Sequence, residues 1–74
     1  MTKDNINPEH YKSMGLECID CIQGAVMDLP GMQGYLTGNV MKYIWRFQRK
    51  NGVEDLNKAK WYLERLIKTV EEAQ

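Results

Sequence analysis

The stretch "GNVMKYIWRFQRKNGVEDLNKAKWYLERLIKTV", residues 38–70, decides how this chain is read. In its second half Leu56, Ala59, Leu63, Leu66 and Val70 recur at alternating spacings of three and four, the pattern by which one helix packs along another. Glu54 and Asp55 fall in the first turn of that helix, where negative charge complements the unpaired N–H groups. Asn51-Gly52 just before it offers two residue types that tolerate left-handed backbone, so the preceding helix should stop there. So short a link predicts an antiparallel hairpin of two helices.

The helix before Asn51 is expected from about Gln33 or Gly38 to Lys50, and its wheel divides into three sectors. Leu36, Val40, Tyr43, Ile44 and Phe47 form a core face; Met41 and Trp45 lie on a separate arc that suits a subunit contact; Asn39, Lys42, Arg46, Arg49 and Lys50 fill the rest. Further upstream, Ile19, Ile22, Val26 and Leu29 share one face and predict a first helix from Leu16 to about Leu29, ended by Pro30-Gly31. Residues 1–14 are polar, and Asn7-Pro8 disfavours helix, which leaves an N-terminal arm carrying His10 and Tyr11. Residues 15–74 then make a single helical domain. No alternation of apolar and polar residues signals a strand.

The fold expected is all-α, about three helices with an antiparallel hairpin between the second and third, completed by homo-oligomerisation. A chain of 74 residues buries only roughly 60% of its unfolded surface, which leaves a lone core marginal. Hydrophobic content of 43% nevertheless argues against disorder, so self-association is expected to supply the missing burial, through Met41, Trp45 and Trp61. Ten Lys plus Arg balance ten Asp plus Glu, which argues against nucleic acid or an anionic membrane as partner. The N-terminus lacks an apolar signal region, no run approaches a membrane span, and Cys18 and Cys21 are expected as reduced thiols. Together these place the protein in the cytoplasm.

Three constellations bear on chemistry. On helix two, Asn39, Lys42, Arg46 and Lys50 project to one side over about three turns, and aligned Lys and Arg can bridge phosphates. The alternative is a solvated basic face, although no acidic residue on that face neutralises it. On helix three, Asp55, Lys58 and Tyr62 share a flank that a hairpin would bring beside this stripe: Asp55 could pair with Arg46 or Lys42, and Tyr62 could stack on a base. On helix one, Glu17 and Asp20 have the spacing to hold a divalent cation, but helix two offers no second acidic pair, so a solvated acidic face competes. Cys18-x-x-Cys21 with His10 supplies only three zinc ligands, and neither a P-loop nor a dinucleotide glycine motif is present.

"NPEHYK", "GLECIDCIQ" and "GNVMKYIWRFQRKNGVEDLNKAKWYLERLI" together resemble the DUF3310 family of small phage proteins, also described as SaV-like or as phage nucleotide kinases. The likeness spans about residues 7–67, with H-Y-K, E-x-x-D, G-N-x-x-K-Y-x-x-R and D-L-x-K-A-x-x-Y-L in order. It implies a phage protein that handles nucleotides, acting in the cytoplasm of an infected host. Its signature positions match His10, Tyr11 and Lys12 on the arm, Glu17 and Asp20 on helix one, Asn39, Lys42, Tyr43 and Arg46 on helix two, and Asp55, Leu56, Lys58, Ala59 and Tyr62 on helix three.

Three functions compete. The first is a binding protein for a phosphorylated nucleotide or nucleotide-derived molecule, sequestering a signal of host defence, with His10, Tyr11, Lys12, Asn39, Lys42, Tyr43, Arg46, Asp55, Lys58 and Tyr62 as ligand contacts. The second is an enzyme, a nucleoside monophosphate kinase with Asp55 or His10 as base, or a hydrolase that holds Mg²⁺ on Glu17 and Asp20; only these enzymes would need Mg²⁺. The third is an inhibitor that docks on a host protein through Met41, Trp45 and Trp61.

Overall fold

The computed structural model describes residues 12–74, with side chains from Met14 onward. His10 and Tyr11 therefore lie outside the described residues, and Lys12 is placed by its backbone alone. A two-residue strand β1 (Lys12–Ser13) pairs antiparallel with β2 (Leu16–Glu17), and three helices follow: α1 (Cys18–Val26), α2 (Gly31–Arg46) and α3 (Val53–Ala73). A 3₁₀ turn, Phe47–Arg49, joins α2 to the α3 entry. The described chain is mostly helical.

The small ladder is a departure from the sequence reading. Met14 and Gly15 both take positive φ, 54° and 77°, the backbone that closes a two-residue hairpin with the twist of its strands. Glycine signals such a turn; methionine does not. Because Leu16 and Glu17 are spent on β2, the first helix starts at Cys18 rather than Leu16, and it ends at Val26 rather than Leu29.

Pro30 caps α2 in extended conformation, so Pro30-Gly31 opens the second helix rather than closing the first, which has already ended at Val26. α2 thus begins at Gly31, earlier than Gln33 or Gly38. Glycines inside it have a use: a Cβ on Gly34 would sit 3.6 Å from Val26 Cβ, and one on Gly38 only 3.2 Å from Ile22 Cγ2. Those bare positions let α1 approach the α2 backbone closely. At the other end α2 tightens after Arg46, and the Gly52 N–H donates to the Phe47 carbonyl at 2.8 Å. Gly52, at φ 56° and ψ −123°, occupies a conformation open essentially to glycine and leads into α3.

Contacts between α2 and α3 run in reverse chain order: Arg46 meets Asp55, Tyr43 meets Lys58 and Tyr62, and Tyr35 meets Tyr62. Among the described residues, complete burial reaches only Cys18, Leu36, Ala59 and the carboxylate Asp55. The broad apolar faces expected from periodicity are therefore corrected: Ile19, Leu29, Ile44, Leu56 and Leu63 all stay exposed. With α2 contacted by both other helices and α1 only nine residues long, α3 buries one side and leaves the other open. Among the described residues no helix is long and apolar enough to cross a membrane.

Candidate functional site

A polar centre lies at the turn between α2 and α3. Arg46 donates from Nε to Asp55 Oδ2 and from its terminal nitrogen to Oδ1, both at 3.2 Å, in the fork geometry of guanidinium on carboxylate. Asn51 adds its backbone N–H to Oδ2 and its side-chain amide to Oδ1, each also at 3.2 Å. Asp55 is wholly inaccessible to solvent, and the Arg46 side chain is 14% exposed. Burial pushes the Asp55 carboxyl up, but the hydrogen bonds from Arg46 and from the Asn51 side chain and backbone, together with the Arg46 charge, outweigh it. The group falls from an ordinary 3.8 to about 2. Asp55 is therefore an ionised clamp, poorly suited to accept a proton near neutrality.

One turn away, cations gather on an aromatic platform. Around the Tyr43 ring lie Lys42 Nζ at 4.7 Å, the Arg46 guanidinium carbon at 4.8 Å and Lys58 Nζ at 5.6 Å, all within the reach of the ring's quadrupole. Tyr43 stacks on Tyr62 with centroids 5.8 Å apart and planes 19° off parallel. Tyr62 in turn meets Trp61 at 5.0 Å and Tyr35 at 6.2 Å edge to face. A hydrogen bond with Tyr35, then burial and the neighbouring Tyr35 and Tyr43 phenols, push the Tyr62 hydroxyl up, so it remains a neutral donor. Tyr43, Lys58, Trp61 and Tyr62 line an open groove of about 330 Å³. Lys58 also pairs with Glu54 at 3.4 Å, an exposed contact across one helical turn that costs little to exchange for another anion.

Not every residue of the expected stripe joins this platform. Asn39 turns its amide to the Tyr35 carbonyl at 3.0 Å, a bond to its own helix. Lys50 is exposed beyond the 3₁₀ turn, and Arg49 borders a different groove with Ile44, Trp45 and Gln48. Glu17 sits in β2 with extended backbone, φ −91° and ψ 132°, while Asp20 lies in the first turn of α1. The premise that both carboxylates share one helical face does not hold. Among the described residues no three His, Cys, Asp or Glu side chains converge as metal ligands. Cys18 is buried; that burial, then the Cys21 thiol, push its pKa up against the pull of the Lys42 charge, so it resists forming the thiolate that reactivity requires.

The sequence marks Asn51 only as a helix stop, and the stripe as drawn from Asn39 leaves out Tyr35. A signal for Tyr35 exists, since 35, 39, 42 and 46 continue the stripe's spacing one turn toward the helix start. The role of Asn51 as a donor to Asp55 four residues on had no such mark.

A family model described as "Protein of unknown function (DUF3310)" matches residues 6–64. The chain belongs to the DUF3310 family. That match takes in the arm from residue 6, both strands, α1, α2 and α3 as far as Glu64, and so every candidate residue from His10 to Tyr62. No curated protein and no solved structure matches the chain.

Proposed function

We propose that this DUF3310 protein is a phage-encoded, oligomeric nucleotide-binding protein that recognises a phosphorylated nucleotide on the Tyr43 platform and sequesters it in the cytoplasm of the host cell. The observation that carries the reading is the gathering of Lys42, Arg46 and Lys58 around the stacked Tyr43–Tyr62 pair. Aromatic faces accept a base, and ammonium groups beside them accept its phosphate. A nucleotide signal of host defence fits this chemistry. Binding is favoured over turnover because Asp55, the base a kinase on this platform would use, is inaccessible and held at about 2. Reversed contacts between α2 and α3 support the antiparallel hairpin, and the exposed Trp61 supports self-association.

Calorimetry with mono-, tri- and cyclic nucleotides tests the reading. Binding should weaken about tenfold in Lys58→Ala and again in Lys42→Ala, the scale of one charge-assisted bond each. Ligand recovered intact after denaturing the complex supports sequestration; a converted product overturns it in favour of an enzyme. No heat with any nucleotide overturns nucleotide binding altogether.

A further inference from the structure

The side of α3 turned away from the aromatic platform carries a second apolar stripe. Val53, Leu56, Leu63 and Ile67 are 71, 36, 45 and 49% exposed, and half-buried Val70 follows them. With Lys60 they fall at 53, 56, 60, 63, 67 and 70, an unbroken alternation of three and four. This spacing is the seam of a two-helix coiled coil; it shares Leu56, Leu63 and Val70 with the series that includes Ala59 and runs along the exposed flank beside that buried residue.

From this stripe we infer that α3 pairs antiparallel with α3 of a second copy of the chain. The positions are symmetric about the middle of the helix, so an antiparallel partner matches Val53 with Val70, Leu56 with Ile67, and Lys60 with Leu63. Four of the six layers are apolar on both sides; the exception is the Lys60–Leu63 match, which the two-fold repeats. The exception is resolved by charge: beside Leu63 stands Glu64, exposed and acidic, where the Lys60 ammonium of the other copy reaches it. Two-fold symmetry makes this Lys60–Glu64 contact twice. A parallel partner would instead stack Lys60 on Lys60, so the same residue selects the orientation.

This inference rests on the self-association in the proposed function and is independent of nucleotide binding. It is tested by measuring molar mass across a concentration series in sedimentation equilibrium, with circular dichroism confirming helicity. The wild type should associate. Ile67→Glu should weaken association about a hundredfold or more, because in both copies it sets a carboxylate against Leu56 in an otherwise apolar layer. Lys60→Glu alone and Glu64→Lys alone should each weaken it about tenfold, and an equimolar mixture of the two should recover it, since only the mixed pair restores both contacts. A wild type that associates while Ile67→Glu changes nothing, or a mixture that fails to recover, overturns the antiparallel α3 pairing and leaves association to another surface. A wild type that stays monomeric overturns both the pairing and the oligomer.

Discussion

The two helix contacts of α2 are made in opposite ways. Against α3, α2 is pinned by a buried ion pair: Arg46 and Asn51 close on the Asp55 carboxylate, and tyrosines stack above it. Against α1, α2 offers almost nothing; Gly34 and Gly38 withdraw their side chains so that Val26 and Ile22 approach its backbone. One contact depends on charge and hydrogen-bond geometry, the other on space. A small domain with few fully buried residues uses both, because it cannot rely on the volume of its core.

Substitution at the charged contact should have the largest effect. Asp55→Ala leaves a shielded guanidinium and the Asn51 donors without their acceptor, and should lower the thermal midpoint by about 10 °C or more. Asp55→Asn, which keeps the shape but not the charge, should fall between the two in a melting experiment. A midpoint unchanged in Asp55→Ala would mean that the ion pair does not hold α2 to α3.

Acid should act on the same contact and spare the other. Because Asp55 is depressed from 3.8 to about 2 on folding, its contribution is complete above about 3.8 and is lost as pH falls toward 2. Urea midpoints should therefore decline across that window in the wild type, and Asp55→Asn should decline less. Equal slopes in the two would assign acid sensitivity to other carboxylates.

Changes at the steric contact should be smaller and should differ in sign. Gly38→Leu forces a side chain where a Cβ already lies 3.2 Å from Ile22, and should cost about 1–3 kcal/mol in urea unfolding. Gly34→Ala meets Val26 at an ordinary 3.6 Å while gaining helix propensity, and should stabilise by about 0.5–1 kcal/mol. If Gly34→Ala destabilised as much as Gly38→Leu, the α1 approach would be tighter along its whole length than these distances indicate.

The contrast also explains what could be read in advance. Glu54, Asp55 and the leucine spacing announced α3, Pro30-Gly31 announced the break between α1 and α2, and Asn51-Gly52 announced the break before α3, although α2 itself ends at Arg46 rather than Lys50. Each is a local preference of a few consecutive residues. The hairpin of Met14 and Gly15 was not legible, since a methionine carries no preference for positive φ. Nor was the use of Gly38, because its reason is Ile22, sixteen positions away. In the candidate site, spacing alone marks Lys42, Lys58 and Tyr62, while it puts Tyr43 on the core face and only the family resemblance brings it in; Asn39, expected beside them, bonds to its own helix instead.

By itself, then, the sequence determined helices, their order, and which side chains stand on which helical flank, because helix periodicity is a property of neighbouring residues. Only the tertiary structure decided what those side chains do. Asp55 could have faced Arg46 or Lys42, and could have remained a solvated carboxylate able to take a proton. Packing of α3 on α2 brought it under Arg46 and out of water, and a carboxylate that loses water must keep every partner it gains. The same packing left Lys42 and Lys58 beside the Tyr43 ring, free of that buried pair.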